Sequence, residues 1–374
     1  MKRYLFLLTV CAMVVLGSCK PVYNPPVLPE VPSLAEKYAD YFPIGSMIKA
    51  DLLEIASDTA IKHCSIVTFN TFLFNRVHPQ ENIYYWDDCD KMIGFARAHN
   101  MKIRAHSLIY DKTNPEWIFK DNNQTVSREV LIERMKQHLQ TIVGRYKGQV
   151  DYWTVVNEAT GEILYDDPDG TPVISCALYK PSKWQQIIGD EYVELAFRFA
   201  HEADPQAKLF YNENALEGVA GSDKRFKTYT ILKNLLSKGV PIHGIGIQGH
   251  WRINMPDVDE ILSAIDLFAS LGLEVQITEL DISFYPLLRW YIPALVPKIE
   301  NFTEEMSLDQ AWRYHTLFNG LRSRKDKLTG VVFWGLSDDT SWLRTQPDTR
   351  MDWPLLFDGQ YQPKKAFWAV VDFP

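Results

Sequence analysis

The fold is predicted by one short stretch of the chain, VDYWTVVNE at residues 150–158. It is a run of apolar, aromatic and β-branched residues that ends on an amide and a carboxylate, Asn157 and Glu158. Such a run is typical of a strand that is buried on both faces, as in a parallel sheet. Polar residues directly after a buried strand indicate a functional site at the carboxyl edge of that sheet.

The same pattern recurs along the chain, and each apolar run is followed by a longer segment with helical character. The eight runs lie at residues 42–48, 65–70, 102–109, 150–157, 207–211, 242–250, 274–282 and 328–336. Helical periodicity is clearest at residues 131–146, 190–203 and 258–271, where apolar residues recur near every 3.6 positions. Eight strand–helix repeats predict an α/β fold, a closed (β/α)8 TIM barrel over residues 41–374. An open doubly wound sheet is the alternative, but the sequence has no glycine-rich phosphate loop.

Composition limits the partners. The chain has 374 residues and a formal net charge of −8, which argues against a nucleic-acid partner. Cys64, Cys89 and Cys176 show no C-x-x-C spacing, so we expect no zinc site, and nothing else in the sequence calls for a cofactor. The 11 Trp, 18 Tyr and 19 Phe could either enlarge the core or stack on a flat ligand.

The N-terminal segment resembles a targeting signal. Lys2 and Arg3 precede an apolar run at residues 4–16 that is too short to span a bilayer. Small residues before Cys19 resemble a bacterial lipobox, which predicts a signal peptide at residues 1–18 and lipidation of Cys19. Ordinary secretory cleavage is the alternative. The proline-rich residues 19–40 predict a semi-rigid tether. We expect a monomer held by lipid alone to the outer membrane, facing the periplasm or the surface.

Two carboxylates suggest the chemistry. Glu158 and Glu279 follow the fourth and seventh predicted strands, so they face each other across the mouth of a barrel. Two facing carboxyl groups are the minimum set for hydrolysis of a glycosidic bond. Metal ligation with help from His106 and His250 is the alternative, but the sequence has no H-E-x-x-H spacing.

Four motifs support the hydrolase interpretation. They are WTVVNEA at residues 153–159, GIGIQGHW at 244–251, ITELDI at 277–282, and FWGL at 333–336 with Trp342 further on. In this order and spacing they resemble glycoside hydrolase family 10, the endo-1,4-β-xylanase family, from about residue 41 to the C-terminus. The resemblance implies endo-acting cleavage of β-1,4-xylosidic bonds in xylan by double displacement with retention. Glu158 would be the acid/base and Glu279 the nucleophile, with their carboxyl groups about 5–5.5 Å apart.

The resemblance also implies supporting roles. Asn157 would hydrogen-bond the sugar 2-hydroxyl, and Gln248 would reach the carboxylate pair. His250 would orient Glu279, and Asp281 would in turn hold His250.

Further residues are implied in substrate binding. His106 would contact the sugar beside the scissile bond, and Trp334 and Trp342 would line the cleft around the glycone sugar. Aromatic residues in two insertions, at 161–188 and 283–306, could stack on sugars or pack on themselves.

The second strand departs from the family pattern. The family has a Glu-Asn pair there and a Lys three residues after the Asn, whereas this chain has Phe69, Asn70 and Leu73. After His106 the family has a Trp-His pair, and here Tyr110 is followed by an aspartate. Asn70 and Tyr110 remain candidates for substrate binding. Each lost hydrogen bond to a sugar hydroxyl costs about 1 kcal/mol, so sugar binding on the glycone side is weakened or redirected.

Three functions are compatible with a chain that keeps the catalytic motifs but departs from the family on the second strand. The first is a xylanase with a remodelled glycone side. The second is a retaining glycosidase that acts on a decorated xylan or another β-glycan. The third is a weakly catalytic surface lipoprotein that binds polysaccharide, against which the intact Glu158, Glu279, His250 and Asp281 argue.

Overall fold

The computed structural model describes residues 30–161, 177–218 and 222–374. The predicted signal peptide, Cys19 and most of the proline-rich segment lie outside these ranges, as do residues 162–176 of the first insertion. Within the described ranges, no helix combines the length and apolar character needed to cross a bilayer.

Eight parallel strands close into a barrel. They are β1 (Ile44–Met47), β2 (Ile66–Phe69), β3 (Lys102–Ala105), β4 (Tyr152–Asn157), β5 (Lys208–Glu213), β6 (Gly244–Ile247), β7 (Glu274–Ser283) and β8 (Leu328–Phe333). Each strand pairs in parallel with the next, and β8 returns to β1 with Val331 opposite Ile44. This closure confirms the predicted (β/α)8 TIM barrel and excludes the open sheet.

A helix follows each strand. The helices are α1 (Leu53–His63), α2 (Asp87–Ala98), α3 (Arg128–Arg145), α4 (Tyr192–Ala203), α5 (Ser222–Ser237), α6 (Val258–Ala269), α7 (Glu304–Arg322) and α8 (Lys365–Val371). Side-chain caps fix where several begin: the hydroxyl of Ser127 accepts from the Val130 amide, and that of Thr303 from the Met306 amide.

Shorter elements lie in the connections. The short helices are Leu34–Lys37, Phe74–Val77, Lys183–Ile188 and Leu288–Tyr291, and the short strands are Ile109–Tyr110, Lys120–Asp121, Gln124–Thr125 and His250–Arg252. Single 3₁₀ turns occur at Ala50–Leu52, Asn70–Phe72, Asp111–Thr113, Glu116–Phe119, Pro293–Leu295, Asp338–Thr340 and Trp342–Arg344.

A buried arginine supports the floor of the barrel mouth. Arg104 on β3 is fully buried and donates to Oε1 of Gln276 at 2.9 Å and to Oδ1 of Asn212 at 3.4 Å. Its guanidinium also lies 4.9 Å from the centre of the Phe210 ring. Gly246 leaves room for this arrangement, because a Cβ there would stand 2.0 Å from Oδ1 of Asn212. The interior packing therefore fixes Asn212, which reaches the site above.

The predicted boundary between tether and barrel at residue 41 is wrong. The helix Leu34–Lys37 is capped by Ser33, and Leu34 and Tyr38 are buried against the barrel. The Leu34 amide donates to Nδ1 of His63 at 3.3 Å, and the Tyr38 hydroxyl donates to the carbonyl of Val370 at 2.7 Å. Because these residues carry apolar side chains into the core, the folded domain already includes Ser33.

Candidate active site

The two predicted catalytic carboxylates stand on facing sides of the barrel mouth. Glu158 directly follows β4 and adopts a left-handed backbone with φ 54°, while its amide donates to the carbonyl of Asn212 at 3.0 Å. Such a backbone costs a non-glycine residue about 1 kcal/mol, which this hydrogen bond offsets. Glu279 lies on β7 where the register against β8 shifts between Ile277 and Leu280. Irregular backbone thus aims both carboxylates into the mouth.

Two amide side chains connect the carboxylates through Asn157. Nδ2 of Asn212 donates to Oε1 of Glu279 at 2.7 Å and to Oδ1 of Asn157 at 2.8 Å. Nε2 of Gln248 donates to Oε1 of Glu158 at 3.1 Å and to Oδ1 of Asn157 at 3.3 Å. All five side chains are buried, so these bonds hold the site in one arrangement. Asn212 is not among the residues predicted from the sequence for this site, and its only signal was its place at the end of the fifth strand.

His250 lies between Glu279 and Asp281, as expected from the sequence. Its Nε2 is 3.2 Å from Oε2 of Glu279, and its Nδ1 is 3.0 Å from Oδ2 of Asp281. Burial lowers the pKa of His250, but the two carboxylates outweigh it and raise the pKa to about 10. This pKa favours the imidazolium form of the part-buried His250, in which each ring nitrogen donates to one of the two carboxylates.

The environment of Glu279 favours its ionised form. Burial raises the pKa of Glu279, but His106, His250 and the amide of Asn212 outweigh it and bring the pKa below its ordinary value. Nδ1 of His106 lies 3.9 Å from Oε1 of Glu279. An ionised carboxylate with fixed orientation is what a nucleophile requires.

Aromatic rings form one wall of the cleft. The ring centre of Trp334 lies 5.3 Å from that of His106, and the centre of Trp342 lies 4.9 Å from that of His250. Nε1 of Trp342 donates to Oδ2 of Asp281 at 2.8 Å, which fixes the indole. Trp290, from the insertion after β7, continues the row at 5.3 Å from Trp342. The wall offers flat apolar faces on which sugar rings can stack.

The environment of Glu158 differs from that of Glu279 because a lysine contacts it. Nζ of Lys112 lies 3.1 Å from Oε2 of Glu158. Burial raises the pKa of Glu158, but Lys112, Lys224 and the bond from Gln248 outweigh it and lower the pKa to about 2. The predicted role of Glu158 as general acid requires the opposite shift, so that role requires the contact with Lys112 to change when substrate binds. Nothing in the sequence pattern had singled out Lys112.

Tyr110 belongs to the same side of the cleft. It is half-buried beside Glu158, and its ring centre is 5.7 Å from Nζ of Lys112. Burial and the negative charge of Glu158 raise the pKa of Tyr110, so its hydroxyl stays protonated and can donate to the carboxylate.

The second strand differs from the sequence-based interpretation. Phe69 is fully buried at the end of β2, in the apolar cluster that also contains Ala60 of α1 and Met92 of α2, so it packs against the helices and not into the cleft. Leu73 is half-buried, and Asn70 is nearly buried with its Oδ1 accepting from Nη1 of Arg76 at 3.3 Å. A cation therefore does occur near Asn70, although it is not at position 73.

The two histidines named in the metal alternative have other contacts in the structure. Within the part of the chain that the structure describes, no three His, Cys, Asp or Glu side chains are grouped to hold an ion. His106 and His250 instead contact Glu279, and Cys64 and Cys89 are buried free thiols.

Comparison with known proteins agrees with this geometry. The family model described as glycosyl hydrolase family 10 matches residues 33–373. The chain is 39% identical over 346 residues to endo-1,4-beta-xylanase B of Paenibacillus barcinonensis, covering 91% of this chain and 98% of that one. It is 40% identical over 345 residues to an endo-1,4-beta-xylanase of Geobacillus stearothermophilus, with the same shares covered.

Solved structures give the same result. The crystal structure of xylanase XynB from Paenibacillus barcinonensis, complexed with a conduramine derivative, superposes with a TM-score of 0.83 at 37% identity, covering 92% of this chain and 99% of that chain. An endo-1,4-beta-xylanase from Caldicellulosiruptor owensensis also superposes with a TM-score of 0.83, at 41% identity, covering 92% and 100%. Because the match spans the whole barrel and its site, the chain belongs to glycosyl hydrolase family 10.

Proposed function

We propose that this glycoside hydrolase is an endo-acting β-1,4-xylanase that cleaves xylan with retention of configuration. The observation that carries the proposal is the unequal environment of two facing carboxylates. Both carboxylates are held in the ionised form, but their partners differ. Asn212 and His250 contact Glu279 from within the site, whereas the partner of Glu158, Lys112, is solvent-exposed and can be exchanged when substrate binds. Relatives at about 40% identity that are named endo-1,4-beta-xylanases support the choice of substrate.

The chemistry proceeds in two displacements. In the first, Glu279 attacks the anomeric carbon while protonated Glu158 donates its proton to the leaving glycosidic oxygen. This step leaves a glycosyl ester on Glu279. In the second, ionised Glu158 removes a proton from water, which attacks the same carbon and releases Glu279. The two inversions give net retention, and a carboxyl separation of about 5–5.5 Å stays a prediction of this mechanism.

The surrounding residues stabilise the charges of Glu279 and Glu158, which change during the two displacements. The imidazolium of His250 donates to Glu279, and Asp281 keeps that imidazolium charged. Gln248 donates to Glu158 and favours the ionised form that is needed in the second step. Asn157, whose Oδ1 is occupied by Asn212 and Gln248, can turn its Nδ2 donors to the sugar 2-hydroxyl.

The walls of the cleft bind the substrate. Trp334 and Trp342 offer ring faces to the glycone sugar, and His106 lies beside them. Asn70 and Tyr110 supply polar contacts on the side where the family pattern is lost. A buried Phe69 and half-buried Leu73 offer no hydrogen bond there, and this favours a decorated xylan as the second candidate substrate.

The proposal can be tested by measuring reducing-sugar release and the loss of viscosity on three polymers: linear xylan, a decorated xylan and a mixed-linkage β-glucan. We expect rapid loss of viscosity on xylan and none with Glu279→Gln, whose fold is checked by its thermal melt. Release from the glucan alone would overturn the choice of xylan. Binding to polysaccharide without any release would favour a weakly catalytic binding protein instead.

The lipid anchor is a separate proposal that rests on residues 1–19 alone. Lipidation of Cys19 would hold the enzyme to the outer membrane, and we propose a monomer at that surface. Metabolic labelling with palmitate should mark the wild type and not Cys19→Ser. Labelling of both proteins would contradict the assignment.

A further inference from the structure

Lys112 occupies an unusual position for a cation in a hydrolase of this mechanism. It forms an ion pair with Glu158, the residue that has to carry a proton in the first displacement. Its side chain is 60% exposed, and the aromatic ring near it, that of Tyr110, is 5.7 Å away. Lys112 is therefore a long, solvated side chain that can leave Glu158 without breaking any packing.

The other charges around Glu158 cannot leave in the same way. The groups that face it are His106, Tyr110 and Lys112 from β3 and the following segment, Glu213 and Lys224 from β5 and α5, and Gln248 after β6. Lys224 is buried and forms a 2.8 Å ion pair with Glu213. Asp111, next to Lys112 in the chain, is paired with Lys180 at 3.3 Å. The Lys112 contact is thus the one in this group that a substrate can readily exchange.

Two further cations lie on the neighbouring loops. Lys49 follows β1 and donates to the carbonyl of Thr340 at 3.1 Å, and Arg76 follows β2 and donates to Asn70. Neither forms an ion pair with any carboxylate in the described ranges. The loops after β1, β2 and β3 therefore each place a cation at the barrel mouth, although the protein as a whole is acidic. Phe69 and Leu73 stand on this side, at positions where the family has residues that bind sugar through polar contacts. Such a rim is complementary to an anionic group on the substrate.

We propose that Lys112 is a specificity-determining residue, which exchanges the carboxylate of Glu158 for a carboxylate on a uronic-acid branch of xylan. The inference rests on the proposed function. When a branched chain binds, the ammonium group moves to the branch carboxylate. Glu158 then takes a proton from solvent and becomes the competent acid. On an unbranched chain no substrate carboxylate competes for Lys112, so its contact with Glu158 is broken less often and the first displacement is slower, although it still occurs.

The test compares glucuronoxylan with the same polymer after its uronic carboxyl groups have been reduced to alcohols, so that branching is unchanged and only charge is lost. We expect the wild type to show a kcat/KM about tenfold higher on the charged polymer, which corresponds to about one unit of pKa in Glu158. Lys112→Met should lose this difference, and Lys112→Arg should keep it. Lys120→Met is the matched control, because Lys120 pairs with Glu116 away from the catalytic carboxylates.

The pH profile on a linear xylo-oligosaccharide provides a second measurement that a merely structural role would not change. Removal of the cation raises the pKa of Glu158, so the basic limb of kcat/KM should move to higher pH in Lys112→Met and stay in place in Lys120→Met. Equal rates of the wild type on both polymers, or a preference that survives in Lys112→Met, would overturn the inference alone. Failure to hydrolyse linear oligosaccharide and both polymers would instead refute the proposed function.

Discussion

Nδ2 of Asn212 lies 2.7 Å from Oε1 of Glu279, so a strand-end amide on β5 holds the carboxylate of Glu279 on β7. The same nitrogen donates to Asn157, the last residue of β4, which directly precedes Glu158. One buried side chain thus sets the position of groups on both sides of the barrel mouth. Its own Oδ1 is fixed from below by Arg104 and Thr278.

The first prediction concerns Asn212. Asn212→Ala removes the donor to Glu279 and to Asn157, so we expect kcat/KM on xylo-oligosaccharides to fall about 10²-fold, as when a preorganised donor is lost from an active site. Thr278→Val is the control, because it removes a hydroxyl that contacts only the opposite end of the Asn212 amide and the carbonyl of Ile247. It should cost about 1 kcal/mol in unfolding free energy and change kcat/KM only a few-fold. Wild-type turnover in Asn212→Ala would show that the amide positions nothing.

The second prediction concerns the acid. Glu158→Ala should reduce kcat on xylan by a factor of about 10²–10⁴, because the leaving oxygen no longer receives a proton. An aryl xyloside with a good leaving group needs no such proton, so its first displacement should be nearly unchanged. Added azide should then restore turnover and yield a β-glycosyl azide. Equal losses on both substrates, with no azide product, would remove Glu158 from its assigned role.

The barrel and the positions of Glu158 and Glu279 at its mouth could be predicted from the sequence for a physical reason. A strand that is buried on both faces is a continuous apolar run, and the residues that end it stand at the barrel mouth. This places Asn157 and Glu158 on one strand and Glu279 on another without knowledge of any contact. Asp281 lies two residues after Glu279 on β7, and His250 contacts both.

The residues that could not be predicted lie in irregular segments. Lys112 reaches Glu158 from 46 residues away through a turn whose path depends on packing. For Phe69 the sequence-based prediction was wrong in the other direction. A motif comparison assigns this residue to the cleft, whereas the geometry of β2 buries it. The predicted boundary between tether and barrel was wrong because the short helix that contains Leu34 gains its stability from contact with the barrel, which the sequence of the helix does not show.

The third prediction follows from that burial. Phe69→Glu would restore the family residue but would bury an unpaired charge, so we expect the unfolding free energy to fall by several kcal/mol. Phe69→Leu, which keeps an apolar side chain, should cost less than about 2 kcal/mol. Urea denaturation of the two variants measures the difference. A Phe69→Glu protein as stable as the wild type would mean that position 69 does face the cleft.

The fourth prediction concerns acid stability. His63 accepts a hydrogen bond from Leu34 through Nδ1, and burial lowers its pKa from 6.5 to about 4. A lowered folded-state pKa gives stability that is complete above pH 6.5 and is lost as the pH falls towards 4. We expect this ring to contribute on the order of 2 kcal/mol to that loss.

His63→Asn is the matched variant, since its Oδ1 accepts the same bond and does not titrate. Its unfolding free energy should fall less than that of the wild type between pH 6.5 and 4. Identical pH dependence in the two proteins would show that His63 is not responsible. His78, whose pKa burial likewise lowers to about 4, should supply part of the remaining slope.

The central claim is that Glu279 is a nucleophile and that Glu158 serves it as acid and then as base. Proton NMR of a linear xylo-oligosaccharide during the first minutes of hydrolysis tests this most directly, because it shows the anomeric configuration of the new reducing end before mutarotation. The account predicts that the β anomer appears first and the α anomer only later. Initial appearance of the α anomer would mean a single displacement by water and would contradict the account.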